Sequence, residues 1–170
     1  MTGCTNVFFE DDGYCTACGE YHKRGKRTDA PTYAVKEATP VAGTEASVKQ
    51  VVRETLDKLI AIYGIACGLK FTRGMRGRAI HNMITKEHRF VLGVPRLLDD
   101  FETGFKEYTT VAPLVGLNNR DPLMGMDAVK QTVYHEYAHV LQVHRGLYKP
   151  RGDHDLNFVK CYREVMKAMR

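Results

Sequence analysis

The chain has 170 residues, of which 44% are hydrophobic and 26% charged, close to globular averages. Whole-chain disorder, collagen and coiled coil are excluded, and no apolar run approaches the roughly 18 residues of a membrane span. The 25 Lys and Arg against 20 Asp and Glu leave a formal charge of +5, gathered in two places. KRGKR at 23–27 holds one cluster, and Lys70, Arg73, Arg76, Arg78, Lys86 and Arg89 form the other against a single acid, Glu87. Such clustering points to a polyanionic partner, with a solvated face as the alternative.

Residues 1–27 form a short unit rich in Cys, Gly and basic residues. Cys15-x2-Cys18 lets two thiolates reach one ion from a tight turn, and Cys4 and His22 complete a Cys3His set of the kind that holds a structural zinc. The first 15 residues carry acids where a signal peptide would have an apolar run. An intracellular location, cytoplasmic or nucleoid-associated, is therefore expected, and there metal binding is favoured over disulfides.

Residues 28–44, with Pro31, Pro40 and Gly43, read as a linker to a domain over 45–170. Thr44 is the natural N-cap of a first helix, although Ser47 stands where a capping box has Glu. Val48, Val51, Val52, Leu56, Leu59, Ile60 and Tyr63 then recur at helical steps and mark one buried stripe. Short strands follow at 69–71, 77–85 and 87–94, the last stopped by Pro95. His81 and His88 read as surface or groove residues on these basic strands. The stretch 96–126 is less regular, with turn residues Asn118, Asn119, Asp121, Pro122 and Gly125.

A second helix is predicted over 127–144, capped by Asp127, and it carries His135-Glu136-x-x-His139. At about 100° per residue the two imidazoles differ by about 40° and stack one turn apart, so both can reach one ion. Glu136 lies beside the ion without binding it, where it can move a proton as a general base. A catalytic zinc needs a third protein ligand. His144 faces away from the pair, and Gln142 and Arg145 stand where the long metzincin motif has Gly and His. Glu164 and His154 remain. The loop with Gly146, Pro150 and Gly152 returns the chain toward the metal and favours His154. A last helix is predicted over 155–168, and Cys67 and Cys161 read as core residues.

His135-Glu136-x-x-His139, the loop, and His154-x-x-x-Phe158 together resemble the SprT-like, or Spartan-type, zinc metalloprotease domain, as does GRAIHNMI-x6-LGVPRLL upstream. The resemblance covers about residues 45–170 and implies His135, His139 and His154 as ligands of a catalytic zinc, Glu136 as general base and Phe158 as a packing residue. Asp155 departs from it, since the family commonly has Gly there, and the Cys-rich unit precedes the protease domain instead of following it.

The expected fold is α+β: a minimal zincin-like domain of one helix, a small antiparallel sheet, the HExxH helix and a C-terminal helix, with the small zinc module in front. The resemblance implies peptide-bond hydrolysis of proteins on or near DNA, crosslinked ones included. Lys23, Arg24, Lys26, Arg27, Arg73, Arg76 and Arg78 are the expected phosphate contacts. The alternatives are a zinc protease unrelated to DNA, a non-catalytic DNA-binding protein with a vestigial zincin domain, and a regulatory module.

Overall fold

In the computed structural model the described residues are 41–75, 77–82, 84–149 and 154–170, with the backbone of 13–14 and 21–22. The chain divides into two units, Met1–Ala38 and Thr39–Arg170. In the first, β1 (Gly13–Tyr14) pairs antiparallel with β2 (Tyr21–His22). Cys4, Cys15, Cys18, Lys23, Arg24, Lys26 and Arg27 lie outside the described residues, as does Arg76, and of His22 only the backbone is described.

The second unit begins with α1 (Glu45–Tyr63). Its capping box is complete after all, because the Ser47 hydroxyl does the work expected of Glu: Ser47 N–H donates to Thr44 Oγ1 at 3.2 Å, and Thr44 N–H donates to Ser47 Oγ at 2.9 Å. Gly64 closes the helix at φ +68°, a left-handed conformation that favours glycine. The predicted stripe is buried, with Val48, Val52 and Leu59 fully excluded from water. Each such side chain contributes about 1.5–3 kcal/mol of burial.

Three strands follow, β3 (Cys67–Thr72), β4 (Arg78–His81) and β5 (His88–Gly93). The sheet order is β3-β5-β4, with β5 parallel to β3 and antiparallel to β4. The sheet is thus mixed, which corrects the expectation of an antiparallel one. The reason lies in β5, whose Phe90, Leu92 and Gly93 are buried. The most apolar strand takes the centre, and β3 pairs with it on the edge away from β4, which intervenes only in sequence. The β4–β5 turn is held by Asn82, whose Oδ1 accepts from the N–H groups of Ile84 (3.0 Å) and Thr85 (3.1 Å).

The region read as irregular contains α2 (Val94–Thr103) and the single turn α3 (Ala112–Val115). Pro95 ends the strand and also sits in the first turn of α2, where its missing N–H costs nothing. Gly104 closes α2 at φ +89°, and a Cβ there would meet Pro122 Cγ at 2.7 Å. The chain then forms an isolated antiparallel bridge, Phe105 with Leu123.

The long helix α4 spans Gly125–His144 and starts after Met124, two residues earlier than expected. Asp127 is not its cap; it lies in the first turn, pairs with Lys130 at 2.8 Å and complements the helix dipole there. α4 packs against α1, α2, β4 and α5 (Leu156–Ala168), so it is buried on nearly every side. Tyr137 shows how it is fastened. Its ring is fully buried edge-on against Phe90, and its hydroxyl donates to Leu59 O (3.3 Å) and Ile65 O (3.2 Å) at the end of α1. Cys67 and Cys161 are buried and free, as expected of core residues, and burial pushes the Cys67 thiol up to about 12. Among the described residues no helix is long and apolar enough to cross a membrane.

Candidate metal centre

His135 and His139 project from adjacent turns of α4, and His154 meets them from just before α5. Ligand-capable atoms of the three lie within 4.8 Å of one another, an arrangement that could hold a metal ion. His135 Nε2 and His154 Nε2 stand 3.2 Å apart. Two nitrogens each about 2.0–2.1 Å from a tetrahedral ion are separated by about 3.3–3.4 Å, so the spacing suits shared ligation. His154 stands where it does because Asp155 caps α5, accepting from the N–H groups of Asn157 (2.9 Å) and Phe158 (3.0 Å). The same carboxylate accepts from Gln142 Nε2 of α4 at 3.0 Å, which ties the start of α5 to the histidine helix. Asp155 therefore serves the helix terminus.

Phe158, fully buried, packs against all three imidazoles, with ring centroids 4.4 Å from His139, 4.7 Å from His154 and 5.1 Å from His135. Burial, then the neighbouring His135 and His154, hold His139 down to about 2. Its ring is neutral near pH 7 and keeps a lone pair for a metal. Glu164, the other sequence candidate for third ligand, is committed elsewhere. Its two oxygens accept from Arg145 Nη1 and Nη2, each at 2.8 Å, in a bidentate pair.

One residue of this centre was not singled out by sequence reasoning. Glu107 is buried between α2 and α3, and its Oε2 lies 2.7 Å from His135 Nδ1. An ionised carboxylate only accepts, so His135 carries its hydrogen on Nδ1 and turns an Nε2 lone pair toward His154. Glu107 Oε1 accepts from Tyr108 N–H at 2.8 Å, and the Tyr162 hydroxyl, itself accepting from Gln131 Nε2 at 2.7 Å, also bonds the carboxylate. Asn119 clamps the Glu107 backbone from both sides: its Oδ1 accepts from N–H at 3.1 Å, and its Nδ2 donates to the carbonyl at 2.6 Å. Burial alone would raise the Glu107 carboxyl, but the hydrogen bonds from His135, Tyr108 N–H and the Tyr162 hydroxyl outweigh it and hold the group below the usual range.

Glu136 shifts the opposite way. It is buried beside His135, and desolvation raises its carboxyl despite the Ala79 N–H that bonds it from β4. Two carboxyl groups around one imidazole are thus pushed apart, one kept ionised and one brought toward protonation, the pattern that separates a ligand-orienting group from a proton carrier. Gly77 opens the approach to Glu136; a Cβ there would stand 3.3 Å from Oε1.

The centre lies between two lobes of one cleft, which share Gly77, Tyr108, His135 and Glu136. One lobe, about 510 Å³, runs toward Arg96, Asp100 and Thr132. The other, about 430 Å³, runs along Arg78, Ala79 and His81 to His139 and His154. Arg78 and Arg73 are exposed, and Arg78 stands on the cleft wall. Of the surface or groove placement expected for His81 and His88, His88 keeps only the groove: it lines a separate pocket beside Ile80 and His144 but is not exposed. It is buried at the start of β5, with its ring 5.9 Å from that of His144. Burial, then His144, lower its pKa, while burial, then His88, hold His81 down to about 4. Compared with known protein families, with curated proteins and with solved structures, the chain matches none.

Proposed function

We propose that residues 45–170 form a zinc-dependent metallopeptidase of SprT-like type, acting on proteins at or near DNA. The observation that carries the reading is the meeting of three imidazoles with a buried, proton-prone Glu136 in an open two-lobed cleft. The donor set suits zinc: three imidazoles that converge on one point, with a carboxylate behind His135 fixing its tautomer. When bound, zinc would polarise a scissile carbonyl and make a water easier to deprotonate. His135, His139 and His154 hold the ion, and Glu107 orients His135. Glu136 accepts a proton from the attacking water and delivers it to the leaving amine, a task eased by its raised pKa. Ala79 N–H steadies Glu136 from the strand that borders the cleft.

The test is Glu136→Gln in zinc-loaded protein. Zinc content and fold should be retained, while cleavage of an unstructured protein substrate should fall about 10²–10⁴-fold. Activity within a few-fold of wild type would refute the mechanism. The DNA part of the reading is supported by the exposure of Arg73 and Arg78 and by the place of Arg78 on the cleft wall. Neutralising both should weaken DNA binding for many sequences alike and flatten its salt dependence. Absence of binding at about 50 mM salt would leave a peptidase unrelated to DNA. The Cys4, Cys15, Cys18 and His22 set is proposed as a separate structural zinc site, and Cys15→Ser should lose one zinc per chain.

A further inference from the structure

His81 and His88 are register partners on β4 and β5, and their Nδ1 atoms stand 2.9 Å apart. That is a hydrogen bond between two ring nitrogens, so one ring supplies the hydrogen and the other a lone pair. The direction follows from the far side of His88. Its Nε2 is buried and, among the described residues, has no hydrogen-bond partner. Were His81 the donor, His88 would accept at Nδ1 and carry its own hydrogen on Nε2, where nothing receives it. A buried N–H left unmade is rarer than a buried lone pair left unmade. His88 therefore carries its hydrogen on Nδ1 and donates it to His81.

The consequence falls on His81. With Nδ1 occupied as an acceptor, a neutral His81 must hold its hydrogen on Nε2. Among the described residues no hydrogen bond engages that atom, and the ring is partly exposed on the cleft wall shared with His139 and His154. His81 lies two residues beyond Ala79 on β4, so their side chains share one face of the strand, and both residues line the lobe that holds His139 and His154.

We propose that His81 is a substrate-binding residue of the cleft: a neutral ring whose Nε2–H, fixed by the buried His88, donates to a carbonyl oxygen of a peptide lying across the metal centre. The proposal rests on the peptidase reading for its substrate, but not for its tautomers. A fixed neutral donor of this kind recognises backbone carbonyls whatever the side chain, and it takes no charge from or to the metal.

Two measurements test it. In the metal-free protein, long-range ¹⁵N–¹H spectra of the histidine rings should show His88 protonated at Nδ1 and His81 at Nε2; the reverse pair overturns the assignment. In the zinc-loaded protein, His81→Phe keeps the ring and removes the donor. The kcat/KM for a peptide cut by the wild type should fall about tenfold, as for the loss of one neutral hydrogen bond. His81→Gln, which restores an N–H, should recover most of it, with zinc affinity unchanged in both. An unchanged kcat/KM in His81→Phe overturns the substrate role. A wild type that binds zinc and cuts no peptide overturns the peptidase reading and the substrate role together, while the spectrum alone decides the tautomer pair.

Discussion

Replacing Glu107 by Gln changes one atom of a buried side chain and should weaken metal binding about 10–100-fold. The carboxylate accepts from three donors at once: His135 Nδ1–H at 2.7 Å, Tyr108 N–H at 2.8 Å, and the Tyr162 hydroxyl. Glutamine brings one oxygen and an NH2 group to the same three donors. Its NH2 must face one of them. If it faces His135, the imidazole can answer only by moving its hydrogen to Nε2, the atom that stands 3.2 Å from His154 Nε2 and is needed as a ligand. If it faces Tyr108, the charge-assisted bond to His135 weakens and a buried amide loses its partner. Either way the loss is one charge-assisted hydrogen bond, about 1.5–3 kcal/mol. That corresponds to about 10–100-fold in affinity, the range typical for partners behind a metal ligand. The assay is zinc competition against a chromophoric chelator at neutral pH, with circular dichroism to confirm the fold. Affinity within twofold of wild type in a folded variant would refute the role given to Glu107.

Glu136→Gln should also change the pH dependence of stability of the metal-free protein. The folded pKa of Glu136 is raised above its ordinary 4.5, so the native state binds the extra proton and wild-type stability declines as pH rises through that window. The variant lacks this decline, and denaturant unfolding should show it gaining on wild type above about pH 4.5; a constant difference across pH would contradict the shift. Glu107 has the opposite sign: its lowered pKa supplies stability that is lost as pH falls through the folded value, and Glu107→Gln should remove that acid-side loss. Gly77→Ala should raise KM or lower kcat several-fold with zinc affinity intact, because the added methyl crowds Glu136 Oε1 and Leu92 Cδ2, each 3.3 Å away; unchanged kinetics would mean the approach does not pass Gly77. Glu164→Gln should leave zinc affinity unchanged and cost at most about 1 kcal/mol, since its pair with Arg145 is half exposed; a lost zinc would return Glu164 to the ligand set.

What could be read from the chain alone was what depends on near neighbours. The His135–His139 spacing, the stripe of α1 and the return of His154 after the Gly-Pro-Gly loop are patterns within a few turns of chain, and the structure brings those three histidines together. Glu107 is 28 positions before His135 and reaches it only through the end of α2, the Phe105–Leu123 bridge and the Asn119 clamp, contacts with no periodic signature. α2 itself left a trace, since Pro95 in a first turn followed by Leu97, Leu98 and Phe101 is a helix pattern, but the proline was read only as the end of a strand. The order of the sheet could not be had from alternation, because which strand takes the centre depends on what each buries against α1 and α4. The exact start of α4 was missed for a related reason: Met124 caps it with no side-chain bond at all.

Asp155 has a consequence for how this centre can change over time. It caps α5 and grips Gln142 with the same carboxylate, so His154 takes its position from two helices, at the far end of a nine-residue connection from His144. The length of that connection is then nearly free to drift. Doubling a flexible loop costs only about 0.6 kcal/mol of closure entropy, against the 1.5–3 kcal/mol of a charge-assisted bond that keeps the ligand in place. Insertions can accumulate there without the third imidazole losing its register.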